Sequence, residues 1–514
     1  MTFAARLARE RPGEIAVRDE SRTLDWQQTD DTLRPMVNAL ISTDLGPHGR
    51  VAVLAGNSVD TLLGYVACTL AGASAVAVNS HLTATETAYI LDDSGARAVL
   101  CDSGTACVAA EAARIAGVPT VVAWGDGPLP AGVTAWSDWC VDHSEPHTDI
   151  TPRRTLVYTS GTTGRPKGVE LPPTSWVGGA DIEEHLERLA HNRMIAFGRH
   201  LVVGPMYHSG PLTATRLFAG GAPISILGKF DADKLLTIIE RDRIGSSIMV
   251  PTHFQRLLAL PEARRSSADI SSLKYVLQVG AKCPAPVKQS MIDWFGPIVW
   301  ESYGASEVGT TCMISAPEWL ERPGSVGRAV PPFEAYIKCD DGTPAPPDTE
   351  GALWFRDTSG HGINYISGAR SGTDFTLGEI GRMDADGYVW ITDRLSDMVV
   401  SGGVNIYPAE IEQALIRNPA VADVACIGIP HEDLGEVLVA LIVPADAEHP
   451  PTRQEIEQHG RKFLAGYKIP KAFYLTVSLP RTSVGKLDKR AMRELPGRDC
   501  TNVTPLDEEV RNTR

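Results

Sequence analysis

The sequence is short of the features that mark several large classes of protein. Its nine cysteines include no pair with Cys-x-x-Cys spacing, which argues against both a zinc site and a disulfide framework. Acidic residues outnumber basic residues by 63 to 48, giving a formal net charge of −15, and a field of that sign disfavours nucleic acid as a partner. Arg6, Arg9 and Arg11 occupy the place where a signal peptide needs an apolar run. We therefore expect a cytoplasmic protein.

One uncharged segment, residues 61–85, contains no Asp, Glu, Lys or Arg and is long enough to raise the question of a membrane span. However, it is rich in Gly, Ala, Ser and Thr, and Asn79 and His81 interrupt it. We interpret it as a buried helix over residues 59–71 followed by a buried strand over 74–78. No membrane span is expected.

The remainder of the 514 residues shows apolar, β-branched runs alternating with helical patterns, which favours an α/β fold with largely parallel sheets. Residues 231–243 form one such helical pattern. Between residues 322 and 390 the sequence pattern changes to short predicted strands separated by turns, which predicts an antiparallel, β-rich subdomain. We predict a large N-terminal α/β domain over residues 1–394 and a small α+β lid domain over 397–514.

The strongest motif covers residues 158–168 and reads Tyr-Thr-Ser-Gly-Thr-Thr-Gly-Arg-Pro-Lys-Gly. It follows a predicted strand over 155–157. Its glycines let the backbone approach a ligand, its hydroxyl groups donate hydrogen bonds, and Lys167 adds positive charge. The segment therefore predicts a phosphate-binding loop. It is not a Walker A loop, because Gly168 stands where that motif requires Ser or Thr.

At this motif the sequence resembles the adenylate-forming enzymes, which comprise acyl-CoA synthetases, luciferase, peptide-synthetase adenylation domains and stand-alone amide synthetases. The resemblance recurs, in the family's order, along nearly the whole chain. Further matching segments are residues 205–210, 280–283, 301–307, 377–379 with 393–394, 401–405 and 480–486.

The resemblance implies ATP-dependent activation of a carboxylic acid as acyl-AMP, with Mg²⁺ as the metal. It implies that Glu307 binds Mg²⁺, that His208 lines the acid pocket, and that Lys486 bridges the substrate carboxylate and the α-phosphate. Tyr303 would stack on adenine, while Glu379 and Arg394 would hold the ribose. The full set of implied nucleotide- and cofactor-binding residues is Thr159, Ser160, Gly161, Thr162, Thr163, Gly164, Lys167, Gly280, Ala281, Glu301, Tyr303, Gly304, Ser306, Glu379, Arg394, Gly402 and Gly403.

Three segments depart from the family pattern. Ser306 replaces the usual threonine and keeps the hydroxyl group. The sequence Leu377-Gly378-Glu379 replaces Thr-Gly-Asp, and Ser396 stands at the interdomain hinge, where Asp or Lys is usual. A hinge without a charged residue puts the family's two-state domain rotation in question.

The acyl acceptor is therefore left with two alternatives. Coenzyme A is the default, because the glycine-rich segment 401–405 is typical of relatives that use it. An amine is the alternative, as in a stand-alone amide bond synthetase. A different hypothesis for the whole protein is a non-catalytic nucleotide-binding relative. The presence of both Lys486 and Glu307 argues against it.

The acid itself is not identified by the sequence. The candidate pocket residues mix aromatic, apolar and small groups, which favours a bulky apolar acid, aromatic or alicyclic. None of them is a basic residue that would suggest a second carboxylate on the substrate. They are Tyr207, His208, Met249, Thr252, His253, Gly280, Ala305 and Val308.

Overall fold

The chain forms two compact units in a computed structural model that describes residues 2–160, 166–339, 342–368, 372–394, 397–480, 487–493 and 503–506. The first unit contains residues 1–80, 87–159 and 168–393. The second contains residues 394–514 together with two short segments, 81–86 and 160–167. The predicted N-terminal domain over residues 1–394 includes both short segments, so the observed division differs from the prediction there.

The strands are numbered in chain order. They are β1 (Ile15–Arg18), β2 (Thr23–Asp25), β3 (Arg50–Leu54), β4 (Ser74–Ala77), β5 (Ala98–Asp102), β6 (Thr120–Trp124), β7 (Thr134–Ala135), β8 (Leu156–Ser160), β9 (Pro166–Glu170), β10 (His200–Val202), β11 (Ile224–Ile226), β12 (Ser246–Met249), β13 (Tyr275–Gln278), β14 (Val299–Ala305), β15 (Gly309–Ser315), β16 (Ser325–Ala329), β17 (Phe333–Lys338), β18 (Gly351–Asp357), β19 (Asp374–Phe375), β20 (Glu379–Met383), β21 (Tyr388–Arg394), β22 (Val399–Ser401), β23 (Val404–Ile406), β24 (Val421–His431), β25 (Gly435–Pro444), β26 (Ala472–Thr476) and β27 (Val503–Pro505).

The α-helices are numbered in the same way, and 3₁₀ turns lie at Pro173–Ser175, Arg193–Phe197 and Gly466–Lys468. The helices are α1 (Phe3–Glu10), α2 (Trp26–Ser42), α3 (Val59–Leu70), α4 (Ala84–Ser94), α5 (Ala106–Ala116), α6 (Trp136–Trp139), α7 (Ile182–Ala190), α8 (Thr213–Ala219), α9 (Ala232–Asp242), α10 (Pro251–Leu258), α11 (Glu262–Ser267), α12 (Ala285–Phe295), α13 (Ala316–Glu321), α14 (Pro408–Leu415), α15 (Arg453–Gly460) and α16 (Lys489–Arg493).

Local sequence explains where two of the predicted helices begin. Ser58 caps α3 by accepting a hydrogen bond from the Thr61 amide, and a helix of small and apolar residues follows. Asp231 caps α9 in the same manner, and the apolar residues at 235, 236, 238 and 239 are all buried. Both helices were predicted from the sequence, α3 from its uncharged composition and α9 from its apolar face.

A seven-stranded sheet carries the phosphate-loop motif. Its strand order is β7-β6-β5-β3-β4-β8-β9, and β3 to β8 pair in parallel where the register is given. The buried strands β3, β4 and β5 read as continuous apolar runs, as expected for parallel strands covered on both faces. Strand β8 ends at Ser160, so the motif begins at the carboxyl end of a parallel strand.

The second sheet of this unit has fourteen strands and combines a parallel part with an antiparallel part. Strands β10, β11, β12, β13 and β14 pair in parallel. From β14 onward the pairing becomes antiparallel and continues through β15, β16 and β21. The β-rich region predicted over residues 322–390 therefore extends the same sheet. The α/β fold class with an antiparallel, β-rich part is confirmed.

The second unit is built on a six-stranded mixed sheet in the order β23-β22-β25-β26-β27, with β24 also paired to β25. Strands β24 and β25 form a long antiparallel pair, and β25 and β26 run parallel. Helices α14 and α15 pack on its core through Ile411, Leu415 and Ile456. This is the small α+β unit that the sequence predicted.

No helix within the described ranges combines the length and the apolar character needed to cross a bilayer. The uncharged segment is instead α3 followed by β4, and Leu62, Leu63 and Val76 in it are fully buried.

A buried ion pair joins α12 to β14 in the first unit. The Lys288 ammonium group donates a hydrogen bond to the Glu301 carboxylate, and it lies 5.1 Å from the centroid of the Trp319 ring. Burial raises the pKa of Glu301, and the charge of Lys288 opposes that shift. The two charges depend on each other, because removing either one leaves the other buried without compensation.

We expect Lys288→Met to destabilise the first unit by about 3 kcal/mol or more, because Glu301 would keep its buried position without a cation. The readout is the urea midpoint followed by tryptophan fluorescence. Arg114→Ala is the control, since it breaks an exposed pair with Glu111 on α5 and is expected to leave the midpoint unchanged. A wild-type midpoint in Lys288→Met would contradict the role given to this pair.

Candidate active site

The end of β14 and the tight reversal that leads to β15 hold four of the predicted nucleotide- and metal-binding residues, Tyr303, Gly304, Ser306 and Glu307. The backbone is compressed here, because a Cβ atom on Gly304 would lie 1.9 Å from the carbonyl oxygen of Gly309. Gly309 itself has φ +78°, in the left-handed region that favours glycine. The requirement for Gly304 is thus explained by the reversal itself.

The predicted acid-binding segment forms a compact turn between β10 and α8. The His208 amide donates to the Pro205 carbonyl (3.1 Å), and the His208 carbonyl accepts from the Leu212 amide (3.0 Å). Burial lowers the pKa of His208 to about 4, so the imidazole is neutral at pH 7. Its Nε2 atom is buried and makes no hydrogen bond to any residue in the described ranges. This nitrogen can therefore serve a ligand.

A hydrogen bond joins the acid-binding segment to the β14–β15 reversal. The hydroxyl oxygens of Ser209 and Ser306 lie 3.1 Å apart. These residues are 97 positions apart in the sequence. The structure thus brings together two motifs that the sequence could only place in order along the chain.

Two further predicted residues meet directly. The Tyr303 hydroxyl donates to Oε2 of Glu379 (2.7 Å), and Glu379 is the first residue of β20. The family's threonine is missing at position 377, but the hydroxyl of Thr376 accepts a hydrogen bond from the Gly378 amide (3.0 Å). A threonine hydroxyl therefore stabilises this turn from one residue earlier.

The turn at Gly280 and Ala281 follows β13. Gly280 has φ +85°, and the side-chain amide of Gln278 donates to the Ala281 carbonyl (2.8 Å). Gln278 is 1% exposed, and its Oε1 atom has no hydrogen-bond partner among the described residues. Sequence analysis missed Gln278, because a lone glutamine at the end of a strand carries no motif.

Glu301 has a different environment from the other predicted site residues. Its carboxylate is buried and pairs with Lys288, as described above. In parallel register it lies beside Gln278, and Gln278 lies beside Met249. This pairing favours a role for Glu301 in positioning the strand that carries Tyr303.

The strand that follows the phosphate-loop motif leads back towards Glu307. The Gly168 carbonyl accepts from the Ile366 amide (3.0 Å), and Val169 pairs with Tyr365. Burial and the negative charge of Glu307 raise the pKa of Tyr365 to about 12. Tyr365 is therefore a neighbour of Glu307 that sequence analysis did not single out.

The strand that precedes the motif is also anchored. Thr159 is the penultimate residue of β8. The Tyr158 hydroxyl beside it donates to Oδ2 of Asp93 (2.7 Å). Lys167 lies half-buried in β9. Gly161, Thr162, Thr163, Gly164, Ser396 and Lys486 lie outside the described residues, and of Ser160 and Arg394 only the strand backbone is described.

Gly402 and Gly403 form the two-residue turn between β22 and β23. Ser401 pairs with Val404 across it, and the glycines have φ +58° and +83°. A two-residue hairpin of this kind commonly needs positive φ at both positions. The hairpin alone is therefore enough to explain both glycines, whatever else passes beside them.

In the first unit, the described side chains supply a neutral imidazole, two hydroxyl groups, a half-buried carboxylate and an aromatic ring around neighbouring turns. Such a set can orient a carboxylic acid and a nucleotide. One carboxylate cannot enclose a metal ion, but Mg²⁺ is commonly held by one or two carboxylates plus substrate phosphates. Glu307 fits that pattern.

Comparisons with known proteins identify the family of the chain. Residues 4–361 match the model of the family described as AMP-binding enzyme, and residues 410–486 match that of the AMP-binding enzyme C-terminal domain. Indoleacetate–CoA ligase of Aromatoleum aromaticum is 31% identical over 510 residues, covering 95% of this chain and 96% of that protein. Feruloyl-CoA synthase of an Amycolatopsis species is 32% identical over 515 residues, covering 96% and 98%.

Among solved structures, amide bond synthetase McbA from Marinactinospora thermotolerans superposes with a TM-score of 0.80 over 96% of this chain and 99% of its own. At 23% identity this likeness shows the fold alone. The family matches span both units, and the two sequence relatives cover nearly the whole chain. The chain therefore belongs to the AMP-binding family and is an adenylate-forming ligase.

Proposed function

We propose that this protein activates a bulky apolar carboxylic acid, aromatic or alicyclic, with ATP to form acyl-AMP and pyrophosphate. The acyl group is then transferred to the thiol of coenzyme A, and AMP is released. The observation that carries the proposal is the hydrogen bond between Ser209 and Ser306. It joins the segment of His208 to the reversal of Tyr303 and Glu307. An acid at the first and a nucleotide at the second would be neighbours, as attack on the α-phosphate requires.

The residues have distinct proposed tasks in the first step. The acid would lie against His208, whose neutral imidazole adds no charge that would hold the carboxylate away from the phosphate. Tyr303 would stack on adenine, and the Gly280–Ala281 turn would flank it. Glu379 and Arg394 would hold the ribose hydroxyls. The loop at 160–164 with Lys167 would hold the β- and γ-phosphates.

Two groups would manage the charge of the reaction. When bound, Mg²⁺ would reduce the repulsion between the phosphates and the incoming carboxylate, with Glu307 as its protein ligand. Lys486 would bridge the carboxylate and the α-phosphate, where negative charge develops as the new bond forms. Such a contact accelerates the step because it strengthens in the transition state.

The choice of acid and acceptor is supported by the relatives and the pocket candidates. The two relatives described above are named for indoleacetate and feruloyl groups and for CoA, and both acids are aromatic. Near His208, a Cβ atom on Gly210 would meet the side chains of Val279 (3.5 Å) and Ile248 (3.6 Å), so apolar groups line this place. His253 contributes packing: its ring stacks on Phe230 with centroids 4.5 Å apart.

The alternative acceptor is an amine, as in a stand-alone amide bond synthetase. The fold shared with McbA is compatible with it, and Ser396 at the hinge position is the departure that motivates it. Incubation of the wild-type protein with ATP, an aromatic acid and equimolar CoA and amine, followed by mass spectrometry, decides between them. We expect acyl-CoA. Amide without acyl-CoA would establish the alternative.

Substitution in the β22–β23 hairpin tests whether the acceptor passes beside it. Gly402→Asn is the suitable change, because asparagine tolerates positive φ and Asn-Gly is a favoured hairpin turn. We expect acyl-AMP formation near the wild-type rate and slower formation of acyl-CoA, since a side chain now stands beside the path of the acceptor. Equal slowing of both half-reactions would show that the hairpin serves adenylation or folding instead.

Glu307→Gln tests the proposed metal ligand. It keeps the shape of the side chain and removes its charge, so we expect the Mg²⁺ concentration for half-maximal adenylation to rise at least about tenfold, equivalent to about 1.4 kcal/mol. Glu321→Gln is the matched control, because Glu321 is an exposed carboxylate paired with Arg322. An unchanged Mg²⁺ requirement in Glu307→Gln would exclude Glu307 as the ligand.

A further inference from the structure

Arg216 is a deeply placed cation on the helix that follows the acid-binding segment. It lies on α8, eight residues after His208. One of its terminal nitrogens donates to the Thr213 hydroxyl (2.9 Å), and the other donates to the Ser175 carbonyl. Both acceptors are neutral oxygens. A guanidinium group has five N–H donors, so these two bonds leave donors for a further partner.

No carboxylate in the described part of the chain pairs with Arg216. Burial alone lowers its pKa, to about 10, and no acidic group opposes that shift. The buried cations Lys288 and Lys468 differ, since each is paired with glutamate. Keeping a positive charge out of water without a counter-charge is costly. An anionic partner that compensates the charge of Arg216 is therefore expected.

The position of Arg216 points to a ligand. Arg216 is half-buried, so part of the residue stays accessible to a ligand. The Ser175 carbonyl that it binds belongs to the 3₁₀ turn Pro173–Ser175. In that turn the Thr174 hydroxyl donates to the Val308 carbonyl (2.8 Å). Val308 directly follows Glu307.

The same turn is packed tightly against the β14–β15 reversal. A Cβ atom on Gly309 would lie 2.5 Å from the Thr174 hydroxyl and 3.4 Å from the Ser175 hydroxyl. Arg216 is thus connected to the proposed acid pocket on two sides, through α8 to His208 and through the Pro173–Ser175 turn to Val308.

We propose that Arg216 binds a second carboxylate of the substrate, so that the acid is a dicarboxylic acid with an apolar, aromatic body. This inference rests on the proposed function and makes its substrate class more specific. One carboxylate is activated beside His208, and the other pairs with the guanidinium group, whose planar fork matches a carboxylate in bidentate geometry. Arg216 is then a residue that determines specificity. It supplies the basic group that was missing from the sequence-based pocket residues.

A competing explanation is that Arg216 only clamps the Pro173–Ser175 turn. The two explanations differ in what they predict for matched acids. A clamp acts equally on every acid, whereas a carboxylate-binding group acts on the ratio between a diacid and the corresponding monoacid.

The test measures acid-dependent exchange of labelled pyrophosphate into ATP. The substrates are 3-phenylpropanoate and its ortho-, meta- and para-carboxylated derivatives. For the wild-type protein we expect kcat/KM for the best diacid to exceed that for the monoacid at least tenfold. In Arg216→Gln this ratio should fall at least tenfold, mainly through KM for the diacid.

Arg188→Gln is the matched control. Arg188 lies on the neighbouring α7, donates to the Val177 carbonyl (2.9 Å) and pairs with Glu184, but its side chain is 48% exposed. We expect its diacid-to-monoacid ratio to equal that of the wild type. Arg216→Lys keeps the charge but loses the planar fork, and it should recover part of the ratio lost in Arg216→Gln.

A wild-type protein that activates the monoacid as well as every diacid would overturn the inference and leave the proposed function intact. An unchanged ratio in Arg216→Gln, with a lowered melting temperature, would establish the clamp instead. If Arg216→Gln does not fold, the wild-type comparison decides alone. Absence of exchange with every acid would contradict the proposed function itself.

Discussion

The close approach of β14 and β15 is the constraint on which the site depends. There is no room for a side chain at Gly304, since a Cβ atom would lie 1.9 Å from the Gly309 carbonyl oxygen. This reversal ends the parallel half of the large sheet and begins its antiparallel half. It presents Tyr303 to Glu379 and Ser306 to Ser209. The buried pair of Lys288 and Glu301 anchors the strand that leads into it.

Much of the fold follows from patterns that are local in sequence. The capped, amphipathic segment 231–243 forms α9, and the uncharged segment after residue 58 forms α3 and β4. The small unit was also predicted as an α+β domain, and its helices α14 and α15 and strands β24 and β25 give it that composition. Periodicity and composition indicate these elements within a few residues, so no distant contact is needed to predict them.

The parts of the site that sequence could not supply depend on contacts between distant segments. The motifs along the chain identified Tyr303 and Glu379 as site residues. They did not predict the hydrogen bond between the two, because these residues are 76 positions apart. The pairing of Glu301 with Lys288 and the depth of Arg216 depend on packing, and neither leaves a periodic signal. For Gly402 and Gly403, the sequence suggested a functional role where a structural requirement is sufficient. Their motif suggested a binding role, while the hairpin already requires positive φ at both.

The proposed function requires this protein to form an acyl-adenylate before any acceptor is involved. Exchange of labelled pyrophosphate into ATP, measured without CoA or amine, tests it most directly. We predict exchange that requires an aromatic acid and falls by about 10²–10³ in Lys486→Ala, as for loss of one group that stabilises charge in the transition state. Exchange that needs an acceptor or proceeds without an acid would contradict the proposed function, as would a rate in Lys486→Ala within about threefold of wild type, less than about 1 kcal/mol.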